Sequence, residues 1–221
     1  MTAPLIVALD FPDLDPCRKL LKELEGLVSI YKIGSELFTA RGWEAVELVH
    51  RSGARVFLDL KLHDIPTTVA KTSSVIAKRG VFMFNLHALG GMEMMRAARK
   101  AVDESASGKT KPLVLAVTIL TSLEAKAEEV LSLARRAREA GLDGVVSSPK
   151  ELSILRRELG NDFILVTPGI RPEGSPSDDQ VRSLTPREAM KLGSSYLVVG
   201  RPVTASAHPR RAASEILQSL A

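Results

Sequence analysis

The sequence is poor in the features that mark secreted and membrane-spanning proteins. It contains one cysteine, Cys17, so no disulfide can form within the chain, and a cytoplasmic location is expected. No stretch approaches the roughly 18 consecutive apolar residues that a membrane-spanning helix needs. The start of the chain, MTAPLIVALD, lacks the basic and long apolar segments of a signal peptide. Neither secretion nor a membrane partner is therefore expected.

Aromatic residues and dense basic clusters are also scarce. Aromatic residues make up 4% of the chain, and the formal net charge is +4 at pH 7. Proteins that bind nucleic acid usually combine a basic stripe with aromatic side chains on which bases stack. The basic run from Ala134 to Arg138 is more simply a solvated helix face. We therefore expect no nucleic-acid partner, whereas the mild positive charge is compatible with an anionic small molecule.

Short apolar runs alternate with amphipathic stretches along the whole chain. The predicted strands are Leu5–Leu9, Val28–Ile33, Arg55–Leu60, Val81–His87, Leu113–Ile119, Gly144–Ser147, Phe163–Thr167 and Tyr196–Gly200. The predicted helices are Pro16–Leu24, Ser35–Arg51, Thr67–Arg79, Gly91–Glu104, Leu123–Ala140, Pro149–Leu159, Pro186–Leu192 and Pro209–Leu220. Strict alternation of this kind indicates parallel strands joined by crossover helices.

Eight such units in 221 residues favour a closed (β/α)8 TIM barrel over an open doubly wound sheet. No G-x-G-x-x-G follows the first predicted strand, which removes the main argument for a dinucleotide-binding fold. No linker or low-complexity segment interrupts the pattern, so a single domain over residues 1–221 is predicted. The Pro/Gly/Ser-rich segment Thr167–Asp179 reads as one long loop and a candidate lid.

Polar residues gather where the predicted strands end, and these ends form the catalytic mouth of a TIM barrel. They are Asp10, Lys32, Asp59, Lys61, Asn85, His87, Thr118, Thr121, Ser147, Thr167, Arg171, Gly200 and Arg201. Solvent also begins at strand ends, which would account for one or two charges. It accounts poorly for several lysines and aspartates that follow apolar runs.

The densest segment is DLKLHDIPTT, which contains Asp59, Lys61 and Asp64. Asp59 and Lys61 are two residues apart, so on a regular strand their side chains point to the same side. A structural ion pair is one interpretation, because buried opposite charges satisfy each other. With Lys32 and Asp10 also at the mouth, a functional cluster is favoured.

An alternating array of lysines and aspartates has a specific chemical use. A carboxylate held by two ammonium groups stays ionised and repels a substrate carboxylate placed beside it. A protonated lysine beside it can stabilise a carbanion and then donate a proton. The array therefore suits decarboxylation without a metal ion or an organic cofactor, although the residues alone establish only an electrostatic acid–base site.

Seven motifs, in the right order from Val7 to Thr204, resemble the bacterial form of the orotidine 5'-monophosphate decarboxylase family. They are VALD, YKIG, the D-x-K-x-x-D signature within DLKLHDIPTT, NLHA, AVTILTS, VTPGIRP and VVGRPVT. D-x-K-x-x-D alone marks a wider superfamily, whereas its combination with TPGIRP and VGRPVT is specific to the decarboxylases. The resemblance implies metal-free and cofactor-free decarboxylation of orotidine 5'-monophosphate to uridine 5'-monophosphate in de novo pyrimidine biosynthesis.

The resemblance also implies catalytic roles. Lys61 would protonate C6 of the pyrimidine, and Asp59 would lie beside the departing carboxylate. Lys32 would hold Asp59 and contact the ribose. Asp64 and Thr68 would reach into the partner subunit's site, so a homodimer is implied.

The nucleotide-binding roles are likewise implied by the resemblance. Asp10 would bind a ribose hydroxyl, Thr121 would contact the base, and Pro168 would line the base pocket. The phosphate would be held by Arg171, Gln180, Gly200 and Arg201. An arginine offers a phosphate a fork of donors, and the phosphate site of such barrels commonly lies after the seventh and eighth strands.

Two other functions stay open from the sequence. A magnesium-dependent sugar-phosphate decarboxylase or aldolase of the same superfamily would carry an acidic metal ligand where this chain has Lys32. A catalytically dead nucleotide-binding barrel would not need the charged positions, all of which are present. The histidines form no zinc-binding pattern such as H-E-x-x-H, so no metal ligand set is predicted. His87 is interpreted as a structural or site-lining residue, since Lys61 already supplies a proton.

Overall fold

The eight predicted strands form a closed parallel barrel in sequential order, β1 to β8, as the TIM-barrel prediction requires. The computed structural model describes residues 4–105, 110–120, 122–172 and 184–220. The strands are β1 Leu5–Ala8, β2 Ile30–Gly34, β3 Arg55–Leu62, β4 Met83–His87, β5 Leu113–Val117, β6 Gly144–Val146, β7 Ile164–Thr167 and β8 Tyr196–Val199. Strand β1 pairs with both β2 and β8, which closes the barrel.

Helices follow the strands around the outside of the barrel. They are α1 Leu14–Glu23, α2 Ser35–Arg41, α3 Trp43–Arg51, α4 Pro66–Lys78, α5 Gly91–Ser105, α6 Ala127–Glu139, α7 Leu152–Leu159, α8 Pro186–Lys191, α9 Arg201–Thr204 and α10 Pro209–Gln218. Short 3₁₀ turns at Ala88–Gly90 and Pro149–Glu151 precede α5 and α7.

The helix prediction was wrong in two places. The single helix predicted over Ser35–Arg51 is two helices, because Gly42 takes a backbone φ of +54° between them. Glycine adopts this left-handed conformation without the steric cost that a side chain would bring. The short helix α9 was not predicted; four residues are too few to show a helical period in the sequence.

The buried apolar residues form two cores, one inside the barrel and one between the strands and the helices. The interior core contains Ile6, Ala8, Ile30, Phe57, Met83, Leu115, Val166 and Val198, each at most 7% exposed. Their neighbours along the strands, such as Val7 and Leu58, belong to the outer core. This alternation explains why the strands are apolar on both faces.

The same alternation carries polar residues to the mouth of the barrel. Asp10, Lys32, Asp59 and Asn85 each lie two positions beyond a residue of the interior core, namely Ala8, Ile30, Phe57 and Met83. Because side chains two apart share one face of a strand, these four residues continue the interior layer upwards. The floor of the site is therefore apolar and its next layer is charged or polar.

In the described ranges, no helix combines the length and the apolar character that crossing a membrane requires.

Candidate active site

Four of the predicted site residues form one continuous row of charges at the mouth. Lys32 Nζ is 3.0 Å from Asp10 Oδ1 and 3.5 Å from Asp59 Oδ2. Lys61 Nζ donates to Asp59 Oδ1 at 2.7 Å. Carboxylates and ammonium groups thus alternate in the order Asp10, Lys32, Asp59, Lys61, as the sequence predicted for an electrostatic cluster.

Asp59 is the most buried residue of this row of charges, with 9% of its surface exposed. Burial alone would raise the pKa of its carboxyl group. The charges of Lys32 and Lys61, together with hydrogen bonds from Lys61 and Asn85, outweigh burial and hold the pKa of Asp59 below its usual range. Asp59 is therefore ionised at neutral pH and presents a fixed negative charge to the mouth.

Strand β3 is irregular where it carries Lys61. It pairs with β4 at Leu58 and Phe84 and again at Leu62 and Leu86. The ladder thus loses its regular register in the segment that carries Asp59 and Lys61, a form of β-bulge. Bulges of this kind redirect side chains near active sites, and here the bulge redirects Lys61.

Lys61 also has a left-handed backbone, with φ of +52°, and no other described residue except glycine has a positive φ. For a residue with a side chain this conformation costs about 1–2 kcal/mol. The prediction that Lys61 and Asp59 lie together is confirmed, but its reason was wrong. A bulge and a strained residue, rather than regular strand alternation, bring the ammonium group onto the carboxylate.

Asn85 lies on β4, beside the irregular part of β3, and is fully buried. Its Oδ1 accepts a hydrogen bond from the backbone N–H of Lys61 at 2.8 Å. Its Nδ2 donates to Asp59 Oδ1 at 2.7 Å. The sequence placed Asn85 at a strand end without giving it a role, because the bulge that brings it to Lys61 cannot be read from strand periodicity.

Gly34 is a second residue whose contribution the sequence did not reveal, although it belongs to the YKIG motif. A Cβ atom added at Gly34 would lie 2.9 Å from Lys32 Nζ and 3.4 Å from Asp10 Oδ1. Any side chain here would push the ammonium group away from its two carboxylates. Glycine at this position leaves room for the ammonium group of Lys32 where it lies between the two carboxylates.

Within the described ranges, Asp64 and Thr68 make no hydrogen bond or ion pair with the charge cluster. Both are exposed, and Asp64 Oδ1 accepts a hydrogen bond from the backbone N–H of Ile65 at 2.7 Å. Over the described ranges of the chain, Asp64 forms no ion pair. Neither residue is bonded to Lys61 within the described chain.

His87 ends β4 and stacks at a tilt on His63, with 5.4 Å between the ring centroids. Burial lowers the pKa of His87, and electrostatic interaction with the neighbouring His63 and Lys61 lowers it further, while Asp59 opposes them. Its Nδ1 is buried and has no hydrogen-bond partner within the described parts of the chain. A neutral imidazole at this place agrees with a site-lining role.

Three of the four predicted phosphate-binding residues, Arg171, Gly200 and Arg201, lie at the ends of two adjacent strands. Arg171 follows β7, Arg201 begins α9 directly after Gly200 and β8, and β7 pairs with β8. The backbone N–H of Arg171 donates to the carbonyl of Leu184 at 3.0 Å. This contact ties together the two ends of the long loop after β7.

Pro168 follows β7 directly, at the mouth. Thr121 and Gln180 lie outside the described residues, as does most of the predicted lid, Thr167–Asp179. Within the described ranges, no three side chains of His, Cys, Asp or Glu come together as a metal site. Asp10 and Asp59 instead share the ammonium group of Lys32.

Comparison with known proteins is consistent with this geometry. Residues 3–216 match the family described as "Orotidine 5'-phosphate decarboxylase / HUMPS family". The chain is 47% identical to orotidine 5'-phosphate decarboxylase of Moorella thermoacetica, over 96% of this chain and 90% of that protein. It is 46% identical to the enzyme of that name from Legionella pneumophila strain Corby, over the full length of both.

A solved structure, orotidine 5'-phosphate decarboxylase from Lactobacillus acidophilus, superposes with a TM-score of 0.87. That chain is 38% identical and 99% of each chain is covered. Sequence and fold thus point to the same relatives over the whole chain.

Proposed function

This chain belongs to the orotidine 5'-phosphate decarboxylase family and converts orotidine 5'-monophosphate to uridine 5'-monophosphate in pyrimidine biosynthesis, and we propose that it does so through a C6 carbanion that Lys61 stabilises and protonates. The observation that carries this mechanism is the ion pair of 2.7 Å between Lys61 Nζ and Asp59 Oδ1. It places the ammonium group of Lys61, the proposed proton donor, next to the Asp59 carboxylate, which is ionised at neutral pH.

The bond between C6 and the carboxylate breaks, and its electron pair stays on C6. The substrate carboxylate would lie beside Asp59, whose own charge is fixed by Lys32 and Lys61. Lys61 then transfers a proton to C6 and regains one from solvent. Of the two electrostatic effects, stabilisation of the growing charge by Lys61 carries more weight, because preorganised charge is most effective where charge develops. Repulsion between Asp59 and the substrate carboxylate is the smaller of the two effects.

Lys32 and Asp10 form the ribose side of the proposed site. Lys32 is 3.0 Å from Asp10, whose side chain is 55% exposed. A carboxylate that is partly open to the mouth can accept a hydrogen bond from a ribose hydroxyl. Lys32 would fix Asp59 on one side and contact the ribose on the other.

Neighbouring strand ends of the mouth would hold the rest of the nucleotide, since β8 pairs with β1. Arg171, Gly200 and Arg201 lie at adjacent strand ends and would bind the phosphate together with Gln180. Thr121 and Pro168 would contact the base. Binding energy from the distant phosphate can be used to close the loop after β7 and to orient the reacting carbon.

The enzyme would act as a homodimer in the cytoplasm, with Asp64 and Thr68 completing the partner subunit's site. Both residues are exposed. Large apolar side chains are exposed in the segments that follow the adjacent strands β3, β4 and β5. They are Ile65 at 65%, Leu89 at 60%, Leu120 at 37% and Leu123 at 56%. A second copy of the chain would cover this surface and bring Asp64 towards Lys61.

Lys32 argues against the magnesium-dependent alternative. Its ammonium group lies between Asp10 and Asp59, where it competes with any divalent cation for both carboxylates. The intact Lys–Asp chain argues against a non-catalytic barrel, because grouping four charges at the mouth is costly without a use for them.

The first test is turnover in the presence of a chelator. We expect the purified protein, treated exhaustively with EDTA, to consume orotidine 5'-monophosphate and to release uridine 5'-monophosphate and CO2 in equal amounts. The measurement is the loss of substrate absorbance with chromatographic identification of the product. A strict requirement for magnesium, or binding of the nucleotide without turnover, would move the protein to one of the alternatives.

The second test concerns the phosphate. A charge-assisted hydrogen bond contributes about 1.5–3 kcal/mol, so Arg201→Ala should weaken uridine 5'-monophosphate binding by about 10- to 150-fold. Uridine, which lacks the phosphate, should lose little affinity in the same calorimetric titration. Arg211→Ala is the matched control, because Arg211 is 77% exposed and pairs with Glu215 on its own helix. Equal losses for both ligands would place Arg201 away from the phosphate.

A further inference from the structure

We propose that Asn85 is the positioning residue of the acid–base pair, holding Lys61 and Asp59 in reacting geometry through the two ends of one carboxamide. The proposal starts from its two contacts, to the Lys61 backbone at 2.8 Å and to Asp59 at 2.7 Å. This role depends on the proposed decarboxylase function, because it defines what Asn85 does for that reaction.

The two neighbours fix the orientation of the amide. A backbone N–H can only donate, so it requires the oxygen of Asn85. An ionised carboxylate can only accept, so it requires the nitrogen. Turning the amide over would set donor against donor on one side and oxygen against oxygen on the other. A carboxylate or an aliphatic chain of the same size satisfies at most one of the two contacts.

The contact to Lys61 compensates for the irregular ladder. Beyond Leu58 and Phe84, β3 and β4 resume their pairing only at Leu62 and Leu86. The Lys61 N–H in this interval bonds to the side chain of Asn85 instead of a strand carbonyl. Because Asn85 is fully buried, water does not offer an alternative acceptor. The strained backbone of Lys61 is thus held by a side chain from the neighbouring strand.

The contact to Asp59 closes a ring. Asp59 Oδ1 accepts from Lys61 Nζ and from Asn85 Nδ2, each at 2.7 Å, while Asn85 Oδ1 holds the Lys61 backbone. The side-chain amide of Asn85 therefore positions both the Lys61 segment that carries the ammonium group and the carboxylate of Asp59. The hydrogen bond from Asn85 also helps to lower the pKa of Asp59. Its loss should raise that pKa.

The test compares Asn85→Ala and the nearly isosteric Asn85→Asp with wild type and with Asn161→Ala, which changes an exposed asparagine before β7. A misplacement of about 1 Å costs about 100-fold in rate, so Asn85→Ala should lower kcat to about that extent. The Kd for uridine 5'-monophosphate should stay within about twofold, because the binding contacts come from other residues.

The pH profiles should separate positioning from simple filling of space. In Asn85→Ala the acid limb of kcat should move to higher pH, since Asp59 loses a donor. In Asn85→Asp activity should be low at neutral pH and rise as pH falls, because a protonated carboxyl can again donate to Asp59. Asn161→Ala should behave as wild type in both respects.

Unchanged kcat in both variants would overturn the proposal. So would a lower kcat without either pH effect, or a matching loss of nucleotide binding. The pKa of the Asp59 carboxyl, measured by carbon NMR in the unliganded protein, should rise in Asn85→Ala, and this needs no turnover. If the wild-type protein proves inactive but the pKa of Asp59 still rises in Asn85→Ala, the decarboxylase function is rejected and the positioning of Asp59 by Asn85 stands. If the pKa of Asp59 does not rise in Asn85→Ala, the positioning role is overturned whether or not the protein is active.

Discussion

Lys61→Ala should abolish the chemical step while leaving nucleotide binding almost intact. General acid catalysis contributes about 10²–10⁴-fold and a preorganised charge about 10²–10³-fold, so the combined loss should reach about 10⁴-fold or more. The phosphate and ribose contacts come from other strand ends, so uridine 5'-monophosphate should still bind. Single-turnover decarboxylation, with calorimetric binding of the product in parallel, measures both quantities.

The variant should still fold. Asp59 keeps Lys32 at 3.5 Å and the hydrogen bond from Asn85, although it loses its shortest ion pair, and thermal stability should fall somewhat. Lys100→Ala removes an equivalent charge from α5, where Lys100 is 77% exposed, and should leave rate and binding unchanged. Lost binding with a normal chemical step would recast Lys61 as a substrate anchor.

Mixing two inactive variants should restore activity if the sites are shared between subunits. In a hybrid of Lys61→Ala and Asp64→Ala chains, one site receives Lys61 from its own chain and Asp64 from the partner, and the other site has neither. Random exchange in a twofold-symmetric dimer makes half of the dimers hybrid with one intact site each, so about a quarter of wild-type activity should return. Activity after co-refolding or co-expression is the measurement.

The alternative in which Asp64 acts in its own chain predicts no recovery, because each site of a hybrid would then lack one residue. Subunit exchange must be shown independently, with differently tagged chains captured together. A mixture that exchanges but stays inactive would show that Asp64 does not act across the interface.

The barrel could be predicted from the sequence because its signal is repetitive. Each strand is a short apolar run, since both of its faces are buried, and each is followed by an amphipathic helix. The ends were less certain: β3 extends to Leu62 rather than Leu60, and the stretch from Ser35 to Arg51 breaks at Gly42. Such details depend on a single backbone angle that periodicity does not record.

The charged part of the site was also predictable, whereas its supports were not. Asp10, Lys32, Asp59 and Lys61 follow apolar runs, which is unusual enough to mark them. Asn85 was marked only as a polar strand end within NLHA and Gly34 only as part of the YKIG motif, and neither was given a role. The importance of Asn85 comes from the bulge in β3 that places it against Lys61, and that of Gly34 from the approach of Lys32 Nζ. These are tertiary contacts between neighbouring strands.

The most direct test of Lys61 as the C6 acid is the reverse proton transfer on the product. By microscopic reversibility, a lysine that protonates C6 also removes that proton from bound uridine 5'-monophosphate. In deuterated water the wild-type protein should exchange the C6 hydrogen for deuterium, followed by proton NMR of the nucleotide. Lys61→Ala, saturated with the same nucleotide, should show no exchange above the rate without protein. Exchange at the wild-type rate in Lys61→Ala would contradict the assignment of Lys61 as the proton donor.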